Sequence, residues 1–463
     1  MNKKVWRSLL GLVAAAFCVS CSTPVITKQA MTKIIAVDPD GNPVLYPYRD
    51  KNRIVKPEEY TYELQLDRLI ADIRASGRKK IMIYVFGGMN FVDDSVVYSE
   101  ELEKVIWEKS DYYPIFINWE SSLLEAYMDH LFYIRRGVRS YSFGPPLFPF
   151  FLANDLCRSV TRLPINLAFQ SYGVFYSDYE NQQPDIELMG KAQQMKMKWY
   201  VGKDNMPLGE QALASSIYCV GFPARILTTP LLDVGGKNGW DVMRHRVRNA
   251  FERSAPYEIG DGDDLKMALS PPDGALSLFM NRLQSLQHHN SSYEITLIGH
   301  SMGPLILNEM VSRYGDMSFK NVVYLASATS VRETAMVMRP YLERHPESTF
   351  YNLCLHPSID TNDMMNYCVV PRGSVLEWID LYFSDPVSRD DHTVGQWNKA
   401  MECLPRRMGP VQGQVVNKAF GVRDPITNTR ILNLPEQHTD FSDPKIRFWE
   451  PDFWQIPPGS KNR

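Results

Sequence analysis

The residues best arranged for chemistry are Gly299-His300-Ser301-Met302-Gly303, a G-x-S-x-G segment. The apolar run Tyr293-Glu294-Ile295-Thr296-Leu297-Ile298 precedes it and reads as a strand, and Met302 to about Arg313 reads as a helix. A serine at such a turn is forced into a strained backbone conformation. Small residues on either side let the chain pass closely, and the hydroxyl is lifted toward the positive end of the following helix. A serine hydroxyl is a weak nucleophile by itself. It needs a base to take its proton, and the base needs a carboxylate to fix its tautomer.

With this turn the expected chain order is serine, then acid, then histidine. His356, His392 and His438 lie beyond Ser301 and outside the helix that ends near Arg344. His356 directly follows the run Thr349–Leu355 and precedes every candidate acid, so its order is wrong. His392 has charged neighbours in Asp390-Asp391-His392-Thr393 that suit a solvated loop. His438 follows the expected last strand, Arg430–Leu434, and is the favoured base, with His392 the alternative. Asp360 and Asp363 both follow the strand Thr349–Leu355. Asp360 is nearer its end and ranks first as the acid, with Asp363 the alternative. An oxyanion requires preorganised donors. The N–H of Met302 and one from the loop Phe86-Gly87-Gly88-Met89-Asn90, here Gly88, are the candidates.

These residues need a frame, and the hydrophobic pattern supplies one. Lys80–Phe86 and Pro114–Trp119 are near-continuous apolar runs, as expected for strands buried on both faces, and Val322–Leu325 adds a shorter one. Helical spacing appears in Pro57–Ser76, Asp93–Lys109, around Leu276–Leu283, and in Val331–Arg344. Strands alternating with helices predict an α/β fold with a mostly parallel sheet covered on both faces. One long interruption, residues 121–240, divides a first part (21–120) from a second (241–463). It reads as an inserted subdomain or as a cap over the site, apolar toward substrate or lipid.

The G-H-S-M-G elbow, the F-G-G-M-N loop after a buried strand and the late histidine together resemble the α/β-hydrolase superfamily, and more narrowly its bacterial serine esterases and lipases. The resemblance covers roughly Lys79–Trp119 and Trp240–Trp454. It implies Ser301 as nucleophile, Met302 and Gly88 as oxyanion donors, Asp360 or Asp363 as acid and His438 as base. Many relatives have histidine before the glycine pair; this chain has Phe86. The expected activity is hydrolysis of an acyl ester, lipids included. An acyltransferase or thioesterase using the same serine, or a non-catalytic envelope lipoprotein, are the alternatives.

Lys3, Lys4 and Arg7 precede the apolar stretch Leu9–Phe17 and the segment Cys18-Val19-Ser20-Cys21. Residues 1–20 thus read as a secretory signal peptide, and Cys21 as the acylated first residue of a lipoprotein. This predicts anchoring to a membrane of the bacterial cell envelope, facing the periplasm or exterior. Cys157, Cys219, Cys354, Cys368 and Cys403 remain, an odd set that makes no disulfide framework, although a Cys354–Cys368 bridge is allowed. Fifty Lys+Arg against 53 Asp+Glu leave a net charge of -3, which disfavours a nucleic-acid partner. No cofactor or metal is indicated. Glu63, His130 and the His288-His289 pair lack ligand partners at suitable spacing.

Overall fold

The computed structural model describes residues 23–455, apart from 52, 89–90, 136–137, 140–143, 176–195, 199–215, 217, 254–271, 357–358, 361–369, 372 and 422–433. The predicted signal segment, Asp363 and Cys368 therefore lie outside the described residues.

Nine strands form one large sheet: β1 (Ile34–Val37), β2 (Pro43–Val44), β3 (Lys80–Val85), β4 (Tyr112–Trp119), β5 (Lys196–Lys198), β6 (Glu294–His300), β7 (Phe319–Leu325), β8 (Thr349–Leu355) and β9 (Val415–Phe420). Across the sheet the order is β5-β9-β8-β7-β6-β3-β4-β1-β2. Every neighbouring pair is parallel except β1–β2. All eight residues of β4 are buried, so both of its faces are covered. This is the predicted α/β architecture, a large and mostly parallel sheet with flanking helices.

The main helices are α1 (Tyr62–Ser76), α2 (Val92–Lys109), α3 (Leu123–Phe132), α4 (Gly144–Phe175), α5 (Phe222–Asn249), α6 (Ala275–His289), α7 (Gly303–Arg313), α8 (Val331–Arg344) and α9 (Trp397–Met408). Their ends follow local chemistry. Thr61 caps α1 by accepting the Leu64 N–H, and Gly77 closes that helix at φ 70°. Ser330 and Glu333 cap α8 reciprocally.

Residues 430–433 of the expected last strand lie outside the described residues, and Leu434 belongs to no strand. The strand that pairs with β8 is β9, which the sequence reading did not find. Its polar pair, Asn417 and Lys418, disguised it. Both are buried, and they have partners: Asn417 accepts from Asn352 Nδ2 at 3.1 Å, and Lys418 donates to the Phe453 carbonyl. The expected end of the insertion at residue 240 also falls inside α5, whose second half packs Trp240, Val242 and Met243 into the main core. Cys354 is a free, buried thiol, so it forms no bridge to Cys368.

The turn between β1 and β2 is fastened to this insertion helix. Gly41 sits at φ 86°, and a Cβ there would lie 1.7 Å from the Asn249 carbonyl oxygen. Gly77, at φ 70°, has nothing within 4 Å of that position. Gly77→Ala should therefore cost only the left-handed strain, about 1–2 kcal/mol. Gly41→Ala should cost clearly more, because backbone must also move. Urea unfolding of both variants checks this ordering.

Candidate active site

Parallel strands end at one edge of the sheet, and the loops that leave that edge are where such folds hold ligands. β6 ends at His300, and Ser301 follows at φ 54°, in the left-handed region that a non-glycine side chain enters at a cost of about 1–2 kcal/mol. Two backbone bonds hold it there: Ser301 N–H donates to the Leu325 carbonyl (2.9 Å), and the Ser301 carbonyl accepts from Ala328 N–H (2.7 Å). Met302 then caps α7, with Pro304 in its first turn. Amides at a helix start have no intrahelical acceptor and so point outward as donors.

The turn is possible only because its neighbours lack side chains. A Cβ on Gly303 would lie 2.4 Å from the Val85 carbonyl oxygen, and one on Gly299 2.8 Å from Pro304 N. The loop after β3 crosses the turn equally closely. A Cβ on Gly87 would meet Ser301 Cβ at 2.8 Å and the His300 carbonyl oxygen at 3.0 Å. One on Gly88 would meet Met302 Sδ at 2.2 Å. β4 clamps this loop from the other side: Trp119 Nε1 donates to the Phe86 carbonyl and Ser121 Oγ to the Gly87 carbonyl, both at 3.0 Å. Phe86 is buried against Tyr84, with ring centroids 4.8 Å apart.

His438 reaches the same turn from the far end of the chain. It opens a short 3-10 turn, His438–Ser442, pinned where Asp440 Oδ2 accepts the N–H groups of Glu436 (2.8 Å) and Gln437 (2.9 Å). Its ring lies 5.1 Å from the ring of His300, centroid to centroid, and its carbonyl accepts from His300 Nε2 at 3.0 Å. That bond requires the proton of neutral His300 to sit on Nε2. Burial pushes the His300 pKa down to about 4, partly offset by this bond. Burial, together with the nearby His300, also lowers His438 well below the ordinary imidazole value. Both rings are neutral at pH 7.

Asp360 is buried one turn beyond β8, its N–H on the His356 carbonyl (3.0 Å) and its carbonyl receiving Ser374 N–H (2.9 Å). Burial raises the thiol pKa of Cys354, and the charge of Asp360 adds to that rise. The other candidate base, His392, is not a solvated loop residue: its side chain is 26% exposed and its Nδ1 lies 3.0 Å from Asp380 Oδ2. Asp380 is buried and also accepts from Thr393 N–H (3.0 Å) and Gln396 Nε2 (3.0 Å). Burial raises its pKa, and the His392 hydrogen bond pulls it back. Residues 393–395 pair with the loop after β7, Val394 N–H on the Thr329 carbonyl and Gly395 N–H on the Ser327 carbonyl. The pair thus stands at the same edge of the sheet.

Two acidic residues escaped the sequence reading. Asp380 was detectable as the one carboxylate in the apolar run Leu381-Tyr382-Phe383 and Trp378-Ile379. Glu120, directly after β4, has a pKa raised to about 7, chiefly by burial and then by Glu125. Among the described residues no cluster of His, Cys, Asp or Glu could hold a metal. His130 pairs instead with Asp155 at 3.1 Å. Compared with family models, curated proteins and solved structures, the chain matches none.

Because folding lowers the proton affinity of His300, its contribution to stability is complete above about pH 6.5 and falls as the pH drops toward 4. His300→Gln should flatten that part of the pH–stability curve. Urea midpoints measured between pH 7.5 and 4.5 for both proteins check it.

Proposed function

We propose that this chain is a serine hydrolase of the α/β-hydrolase fold that cleaves acyl esters, lipids among them. The observation that carries the reading is Ser301 at a left-handed strand-to-helix turn, crossed by a glycine loop, with the buried, neutral His438 packed on the adjoining His300. An idle tight turn has no need of a strained serine, because glycine would occupy it without cost.

In this mechanism His438 takes the Ser301 proton as the hydroxyl attacks the acyl carbonyl. Met302 and Gly88 N–H groups receive the developing oxyanion. The protonated His438 then returns that proton to the departing alcohol, leaving an acyl-Ser301 ester. Water attacks next, with His438 again accepting a proton, and the acid and free Ser301 result. Asp360 or Asp363 orients the base. The Asp380–His392 hydrogen bond supports a second assignment of acid and base on the same serine. If an alcohol or thiol replaced water, the same acyl-enzyme would serve an acyltransferase, and a thioester substrate would make it a thioesterase. A non-catalytic binding role would leave the strain at Ser301 without use.

Ser301→Ala should abolish both labelling by a fluorophosphonate probe and turnover of a short p-nitrophenyl ester, with an unchanged circular dichroism spectrum. Labelling that persists in the variant removes the assignment. His438→Ala should lower kcat/KM by roughly 10²–10⁴-fold, and His392→Ala far less; the reverse order would move the base to the Asp380–His392 pair. Since the His438 pKa is depressed, the base stays deprotonated in mild acid. The acid limb of the kcat/KM profile should therefore lie below pH 6.5.

The cell-envelope location is part of the same proposal. Cys21→Ala should abolish labelling by a palmitate analogue that marks the wild type; equal labelling would place the anchor elsewhere.

A further inference from the structure

The helices α4 and α5 are built with inverted polarity. From residue 155 to 170, every buried residue of α4 is polar: Asp155, Ser159, Asn166 and Gln170. The buried row of α5 continues the pattern with Arg225, Thr229 and Asp233. Polar contacts join the two rows. Ser159 Oγ donates to the Pro230 carbonyl (2.8 Å), Gln170 Nε2 to Thr229 Oγ1 (3.1 Å), and Arg158 to the Asp233 carbonyl (3.0 Å). Outward, the pattern is apolar: Phe150 is 74% exposed, Val160 59% and Ile165 54% on α4, with Leu227 71% and Leu231 66% on α5, and Val220 80% just before it.

Charge follows the same inversion. Within 144–171 the charged residues are Asp155, Arg158 and Arg162, and within 218–232 there is Arg225 alone; none is exposed. Arg158 and Arg162 both turn toward Asp233, at 4.0 and 3.7 Å. Proline interrupts both helices, at 149 and 164 in α4 and at 230 in α5.

In water a helix pair buries its apolar side and exposes its charges. In lipid the surroundings are already apolar, so apolar residues between helices gain nothing, and polar residues hold the pair together from inside. Helix-internal proline is also tolerated there. We infer that the outward face of α4 and the first half of α5 is embedded in the acyl region of a lipid bilayer. A protein partner would explain an apolar outer patch but not the polar row within. No helix among the described residues is long and apolar enough to cross a membrane, so the insertion is into one leaflet. The sequence leading into α4, 134–143, carries Arg135, Arg136 and Arg139 and no acidic residue, which suits anionic headgroups.

The hairpin also touches the candidate site. Gln170 Nε2 donates to Tyr382 OH (2.7 Å), and Arg162 pairs with Asp385 (2.8 Å), both shortly after Asp380 in the chain. A bilayer holding these helices would thus lie beside the segment that carries Asp380.

Cys157 and Cys219 are exposed on α4 and just before α5, and supply the probes. The mature chain, from Ser22 onward, is prepared with Cys368 and one of the two exposed cysteines replaced by alanine, so that neither the signal segment nor an acyl anchor contributes, and the remaining exposed thiol carries an NBD label. Vesicles of phosphatidylcholine and phosphatidylglycerol should shift the emission of both labels to the blue, and doxyl-lipids should quench it. Val160→Glu with Leu227→Glu should lower co-flotation with the vesicles by tenfold or more, at an unchanged circular dichroism spectrum. Labels that stay water-exposed on vesicle-bound protein would overturn the inference. So would labels already shielded without vesicles in a species of dimer mass, since a second copy would then be the occupant. The readout is independent of hydrolysis and stands or falls apart from the assignment of Ser301.

Discussion

The structure turns on how closely two backbones can pass at the end of β6. Ser301 occupies a left-handed conformation with the loop after β3 laid across it, and Gly87, Gly88, Gly299 and Gly303 each stand where a methyl group would collide. The geometry propagates outward. Because Ser301 N–H is spent on the Leu325 carbonyl and its own carbonyl on Ala328, the loop after β7 is fixed too, with Ala326 at φ 44°. That loop in turn pairs with residues 393–395. One strained residue thereby sets the path of three loops.

The electrostatics at this edge follow from dryness more than from charge pairing. His300 and His438 lie ring beside ring, tilted by 40°, both kept neutral by burial. Glu120 is pushed up by the same cause. A site that disfavours charge in its resting state amplifies the few fixed dipoles aimed into it, here the amides at the start of α7.

Much of this was legible in the sequence because the signals were local. A buried parallel strand reads as a near-continuous apolar run, so β3, β4, β6 and β8 stood out, and the G-x-S-x-G segment located the strained turn between β6 and α7. β9 did not stand out, because Asn417 and Lys418 break its run and find partners only through the tertiary fold. Asp380 escaped for a related reason. Its pairing with His392 depends on the helical turn Ile379–Phe383 meeting the loop at His392, and the local charges around His392 suggested solvent. The insertion was legible only as a subdomain or a cap with an apolar side, because which side of a helix faces inward is decided by its surroundings, and the sequence pattern alone does not reveal an inverted one.

The order in which the strands pair bears on how the chain folds. The centre of the sheet is the β3–β6 contact, where Lys80 lies beside Glu294, more than two hundred positions later, with the whole insertion between them. Synthesis proceeds from the N-terminus, so β3 and β4 must wait, apolar on both faces, until the second half of the chain has been made. Closing so large a loop is slow, and it leaves the early strands open to wrong partners meanwhile. Under the proposed export the same delay would be an advantage, because a polypeptide that cannot complete its core early remains extended long enough to be threaded across a membrane.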